Sequence, residues 1–542
     1  MSLYPPLSTL HTRSRRKYVT ARFSSGHSRR RFTFAAMKTS ILFLLAGLVS
    51  LTLSAQTTTA DQPLPEYHFN ESTFAGQMHW LASDYLAGRR TGSIGNEIAA
   101  NYIASQLRAY GYAPINGDSY FQGVPLLEVS GPKVGKLLAG KYQWTHGDNL
   151  LIMRGPAAQV NGKVVFANYG WVDEETDHDD YANLDVEGKI VITRAGIPGD
   201  ASQRGIFKGV SEKAELAAAR GAVAVFEIYT LPFPWTNFKA YFGGQRMSLD
   251  EGSESATIPY GFLQAKDNFL PELQKSKKGL KGNVSSSGMQ VNRIMSNNVG
   301  GVLRGTDPEL RDEYMIMTAH YDHVGVGAQG GGAYTPVDSI FNGARDNAFG
   351  TISLLAAARA FGEVPPRRSI IILAVTGEEM GLLGSQHYAN NPLIPLDQTV
   401  FDFNTDGAGY DDTTAVSLIG ANRTGIDPQV AEAAAAFGLS VIEDPAPEQG
   451  LYDRSDNVSF SAKGVPSLTF SGGTTGFSDE IMRYYHQVGD NPETINMRYL
   501  KLYCQSFTLA ARLIANRDVR PYWAPGDKYE EAGDALYGSK RP

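Results

Sequence analysis

Ser369-Ile370-Ile371-Ile372-Leu373-Ala374-Val375-Thr376-Gly377-Glu378-Glu379 joins a nearly continuous apolar run to two adjacent carboxylates. An unbroken run of this length predicts a strand buried on both faces, as in sheets covered by helices on either side. Working outward, Thr351 to Phe361 reads as an Ala/Leu helix before it, and Tyr314 to Ala319 as a shorter apolar strand before that. After it come strand patterns at Val400 to Asn404 and Pro466 to Phe470, with helical patterns at Pro428 to Phe437 and Met497 to Ala515. The alternation predicts an α/β domain: a mixed, largely parallel sheet flanked by helices.

In such sheets ligands bind beyond the carboxyl ends of the strands. Each strand here is followed by candidate chemistry. His320-Tyr321-Asp322-His323 follows the first, Gly377-Glu378-Glu379 the second and Asp406 the third. Gly343-Ala344-Arg345-Asp346-Asn347-Ala348 precedes a helix, and a late loop adds Tyr484-Tyr485-His486 and Asp490. Taken singly, each has an ordinary reading: Asp346 as a helix cap, Glu378-Glu379 as a solvated pair, His320 as a satisfied core histidine. Together, several acids and two histidines behind buried strands are costly to desolvate without a cation. Oxygen and imidazole ligands suit zinc, with cobalt or manganese as substitutes. Five ligands exceed one tetrahedral zinc. Two metals sharing a bridging carboxylate use all five, and such a pair is a known hydrolytic arrangement. Neighbouring residues of an extended segment point in opposite directions, so Glu378 and Glu379 can do different jobs.

These motifs resemble the co-catalytic zinc aminopeptidases, a family that also contains glutamate carboxypeptidase II and the transferrin receptor. The resemblance is carried by His320-Tyr321-Asp322-His323-Val324-Gly325, Asn342 to Ala348, Thr376-Gly377-Glu378-Glu379, Asp406, Tyr485-His486 and Leu81 to Arg89. It implies a zinc-peptidase fold of the phosphorylase/hydrolase-like kind with two zinc ions per chain. His320 and Asp406 would hold one, Glu379 and His486 the other, and Asp346 would bridge them. Glu378 would be the general base. Asp322 would accept a hydrogen bond from the His320 ring and fix its tautomer. Asp456, in Arg454-Ser455-Asp456-Asn457, and Tyr485 are candidate substrate contacts. Two positions depart from the family pattern: Arg345 stands where an acid often precedes the bridging Asp, and Phe349 where a small residue is usual.

The implied activity is release of N-terminal residues from peptides. Carboxypeptidase or dipeptidase action and a one-zinc glutaminyl-cyclase chemistry stay open on the same fold. A non-catalytic receptor-like module stays open too, although such a relative has no reason to keep the full ligand set.

The 542 residues allow several domains. The net charge of -7 gives no support for nucleic-acid binding. Cys504 is the one cysteine, so no intramolecular disulfide can form. Residues 1–36 carry eight Lys or Arg and no acid. Met37-Lys38, the apolar run Ile41 to Leu53 and Ser54-Ala55-Gln56 then read as a signal peptide cleaved after Ala55. Translation starting at Met37 and a twin-arginine signal at Ser28-Arg29-Arg30-Arg31-Phe32 are alternative accounts of what precedes it. Either sends the chain to the periplasm or outside the cell, with no stable membrane span in the mature protein. Residues 56–129 are expected to begin the peptidase domain. Residues 130–290, β-rich and with turns of Gly and Asp, resemble an inserted protease-associated domain ending in a Lys/Gly/Ser linker from Lys275 to Gly288. Residues 291–520 are the main catalytic part, and 521–542 a packing tail. The sequence does not fix oligomeric state, nor the preferred N-terminal residue.

Overall fold

The computed structural model describes residues 62–538, apart from 201–202, 232–233, 253–256 and 408. The expected signal peptide lies outside the described residues. Among those described, no helix is long and apolar enough to cross a membrane.

A ten-stranded sheet carries the site. Its strands are β1 (Phe121–Ser130), β2 (Arg246–Leu249), β3 (Gln290–Leu303), β4 (Tyr314–His320), β5 (Ser369–Val375), β6 (Thr399–Asp406), β7 (Ala415–Ile419), β8 (Ser440–Glu443) and β9 (Ser467–Gly472), with the short pair Ala113–Pro114 added to β3. They run in the order β2-β1-β3-β5-β4-β6-β9-β7-β8. The central β5-β4-β6-β9 is parallel. The β3-β1-β2 arm and the β9-β7 junction are antiparallel. The sheet is therefore mixed, with parallel pairing concentrated where the candidate ligands emerge, and less parallel at its flanks than the sequence suggests.

β5 explains the long apolar run. Ile370, Ile372 and Ala374 enter one hydrophobic core, while Ile371, Leu373 and Val375 enter another across the sheet. The first core is shared with α1 (Glu71–Leu81), α2 (Ile94–Ala109), α3 (Phe349–Glu363), α5 (Asp427–Ala436) and α6 (Met497–Ala515); α4 (Leu383–Asn390) covers the second through Tyr388. α1 and α2 are separate helices, broken between Leu81 and Ile94. At the break Gly88 has φ of +65°, and a Cβ there would meet the Gly325 carbonyl at 2.4 Å. Only glycine brings that turn so close to the segment after β4.

A second, eight-stranded sheet is built from strands between Gly135 and Ser287. Of its parallel strands Ala157–Phe166, Ile190–Arg194, Ala224–Tyr229 and Tyr260–Gln264, the last three also bury both faces, and the first does so only at Val164 and Val165. Ile190, Ile192 and Phe226 line one core, Val191, Val225 and Phe262 the other. β2 falls within this stretch of sequence yet pairs with β1 in the main sheet.

The expected linker Lys275 to Gly288 is corrected. Leu280–Ser287 is a strand inside the second sheet, paired on both sides. Gly282, Val284 and Ser286 alternate inward while their neighbours are more exposed, a period-2 pattern disguised by polar and small residues. In the C-terminal tail, Trp523 is buried and its indole N–H donates to the Gly464 carbonyl at 2.9 Å.

Candidate metal centre

Strand register sets the site. His320 pairs with Val375, the last residue of β5, and Thr318 pairs with Asn404 on β6. His320, Glu378, Glu379 and Asp406 therefore leave three adjacent strands at one level. Asp346 comes from the bend Ala344–Ala348 that leads into α3, and His486 from the loop after the short helix Asp479–Tyr484.

The structure brings His320, Asp346, Glu379, Asp406 and His486 together. His320 Nε2 stands 3.3 Å from Asp346 Oδ1 and 3.6 Å from Asp406 Oδ1. His486 Nε2 stands 3.2 Å from Asp346 Oδ2 and 3.0 Å from Glu379 Oε2. One Asp346 oxygen thus faces each histidine. Ligand atoms of His320, Asp346 and Asp406 lie within 4.8 Å of one another, as do those of His323, Asp346 and Glu379.

His323 is the residue the sequence reading left without a role. Its Nδ1 lies 2.7 Å from Glu379 Oε1, the oxygen opposite the one facing His486. Its position three residues after His320 in the same motif was the available signal. Arg89 is a second such residue. Fully buried, it donates to the carbonyls of Tyr321, Asn342 and Gly343 at 2.7 to 2.9 Å, tying the segments before the acids together.

Asp322 and Asp456 differ from expectation. Asp322 Oδ1 is 3.8 Å from His320 Nδ1, beyond hydrogen bonding. Its oxygens instead accept from the Thr91 hydroxyl at 2.8 Å and the Glu378 amide at 3.3 Å, so it anchors the start of the glutamate pair. Asp456 is fully buried and does not reach the cleft; its neighbours Arg454 and Ser455 line the wall. Ser455 donates to Asp406 Oδ2 at 2.8 Å, leaving Oδ1 toward His320. Tyr485 does line the cleft and stacks on the His486 ring, centroids 4.2 Å apart.

The cleft, open to solvent, is lined by Asp346, Glu378, Glu379, Asp406 and His486. Ile419, Leu451, Phe477 and Ile481 form its apolar side. Burial raises the pKa of Glu378 well above the carboxylate range; His320 opposes this, while Glu379, Asp406 and Asp456 add to it. Burial and Asp346 also push Glu379 up, but His323 and His486 outweigh them and hold it at about 2. Burial works against charge on His486, yet Glu379 and Asp346 lift it to about 11.

The donor set fits a metal pair. Both ring nitrogens of buried His320, and Nε2 of buried His323, lack hydrogen-bond partners, which is costly for an imidazole that nothing else binds. Four carboxylates converge on the same few ångströms, a charge density that cations relieve. All the candidate ligands are oxygen or imidazole, the chemistry of zinc sites without thiolates.

The chain is 28% identical over 228 residues to Aminopeptidase YwaD of Bacillus subtilis (strain 168), covering 42% of this chain and 46% of that protein. It is 32% identical over 127 residues to a vacuolar membrane protease of Saccharomyces cerevisiae (strain YJM789), covering 23% of this chain and 11% of that protein. The chain thus spans less than half the length of these curated relatives. Its fold is similar to that of an aminopeptidase from Aneurinibacillus sp. strain AM-1, with a TM-score of 0.54 and 20% identity over 85% of this chain and 98% of that one. Residues 298–507 match the model of Peptidase family M28.

Proposed function

We propose that this protein is an exported zinc aminopeptidase that removes N-terminal residues from peptides with a pair of zinc ions. The observation that carries the reading is the two-sided Asp346 carboxylate, one oxygen toward His320 and the other toward His486. His320 and Asp406 would hold one ion and Glu379 and His486 the other, with Asp346 available to both. His323 braces Glu379 from its far oxygen.

Zinc, when bound, supplies Lewis acidity that lowers the pKa of a coordinated water and polarises a carbonyl. The chain's own residues manage the proton. Glu378 lines the cleft and is the general base: it accepts the proton of the attacking water and returns it to the leaving amine. The eight-stranded sheet of residues 135–287 is assigned to a protease-associated-type insert within 130–290, between the two parts of the peptidase domain.

The test pairs zinc content with hydrolysis of aminoacyl anilides, for the native protein and Glu378→Gln. Near two zincs per chain, with kcat reduced roughly 100- to 10,000-fold in a variant that keeps its zinc, is the expected outcome. Zinc without aminoacyl release would move the assignment to carboxypeptidase or cyclase chemistry. Absence of zinc binding would remove the enzymatic reading.

A further inference from the structure

Arg345 replaces the acid that often precedes the bridging Asp, yet it is buried, only 4% exposed. Among the described residues no carboxylate makes an ion pair with its guanidinium. Instead its Cζ lies 4.4 Å from the ring centroid of Tyr410 and 4.0 Å from that of Tyr484. Nη1 donates to the Tyr410 carbonyl at 3.3 Å and Nη2 to the Thr494 carbonyl at 3.1 Å. A planar guanidinium can stack on rings and donate in its own plane at once, which an ammonium cannot.

The residues it grips are placed with purpose. Arg345 adjoins Asp346. Tyr410 is four residues beyond Asp406, on the segment leaving β6. Tyr484 is two residues before His486, whose backbone is held at φ of +52°. The main chain beneath is tied in the same direction: the amides of Arg345 and Asp346 both donate to the Asp490 carboxylate, at distances from 2.9 to 3.3 Å. Three segments that each deliver a candidate ligand thus meet at one side chain: Asp406 ends β6, whereas Asp346 lies in the bend before α3 and His486 in a loop.

We infer that Arg345 is a positioning residue that docks the Tyr484–His486 loop onto the Asp346 and Asp406 segments and so sets the geometry of the zinc position shared by Asp346, Glu379 and His486. The inference rests on the two-metal reading of the site. The charge therefore does the opposite of what its place in the motif suggests. It does not perturb the ligands directly but is spent on aromatic faces and carbonyls.

The experiment compares native protein, Arg345→Met, Arg345→Lys and Tyr484→Leu. Zinc affinity is measured by chelator competition, melting is followed on metal-stripped protein, and kcat and KM are measured on an aminoacyl anilide. The expected result for Arg345→Met is one zinc held as in the native protein and a second bound roughly ten- to a hundredfold more weakly, the range seen when supporting partners of ligands are removed. In that variant kcat falls, KM changes little and excess zinc restores activity. Lys does not rescue. Tyr484→Leu keeps the charge but loses one ring, and weakens the same second zinc. It decides the matter alone if Arg345→Met fails to fold. Native affinity for both zincs in Arg345→Met, or in Tyr484→Leu, overturns the inference. So does a shift in the metal-stripped melting temperature with zinc affinities unchanged, which marks a purely structural role. Fewer than two zincs in the native chain overturns the two-metal reading itself, and this inference with it.

Discussion

Asp402 offers a test of the electrostatics beneath the site. It sits in β6, paired with Ile316 on one side and Ser467 on the other, and its side chain has no solvent exposure. Oδ1 accepts from the Thr318 hydroxyl at 2.8 Å and Oδ2 from the Ser467 hydroxyl at 2.5 Å. Burial raises its pKa from 3.8 to about 7; the two hydroxyls oppose the shift and Asp456 adds to it. In the unfolded chain the same carboxyl titrates near 3.9. Between about pH 4 and 7 the folded form therefore keeps a proton that the unfolded form has released. The sign follows: this group's contribution is fully present below about pH 4, falls by about 1.4 kcal/mol per pH unit, and is lost once the pH passes about 7. Three units amount to about 4 kcal/mol. Asp402→Asn keeps the shape and an acceptor for Thr318 but cannot ionise. Imperfect amide pairing costs it about 1 kcal/mol. The variant should be slightly less stable than the native protein at pH 4.5 and more stable by about 3 kcal/mol at pH 8. The assay is urea unfolding of metal-stripped protein across that range, followed by tryptophan fluorescence. Metal is stripped because zinc binding carries its own pH dependence. Parallel stability curves for variant and native protein would refute the assignment of a neutral, buried Asp402.

His323→Ala removes the 2.7 Å contact with Glu379 and should weaken zinc binding roughly ten- to a hundredfold; calorimetric titration of the metal-stripped variant reads this, and unchanged affinity would show that Glu379 needs no brace. Gly282→Ala would place a Cβ 2.3 Å from Val164 Cγ2 and 2.9 Å from the Leu138 carbonyl. Its expected cost is about 1–3 kcal/mol of overpacking, seen as earlier melting of the second sheet, and a native melting profile would contradict the tight strand packing described there.

Where the chain's pattern is local, the sequence was enough. The run Ile370 to Val375 implied a strand buried on both faces because no polar residue interrupts it, and the two cores that share its side chains are the reason. α6 runs over Met497–Ala515, the span its apolar spacing marks, with Asn496 capping its first turn through the Tyr499 amide. The candidate acids and histidines were legible as residues following strands. Leu280–Ser287 was not legible as a strand, because Lys, Gly and Ser hide its alternation until Gly135–Ala139 and Ala157–Phe166 flank it. Nor was the place of His323, which depends on Glu379, 56 residues away. Asp322 turned from the His320 ring to Thr91 and the Glu378 amide for the same reason. Arg345 looked like a disturbance of charge beside Asp346, and only the approach of Tyr410 and Tyr484 shows where its guanidinium goes. Periodicity and caps act over one or two turns of chain, so sequence alone determined the strongly patterned strands and helices and which residue types stand at the strand ends. Which oxygen faces which nitrogen is set by strand register and loop docking across tens to hundreds of residues, and only the tertiary structure decided that.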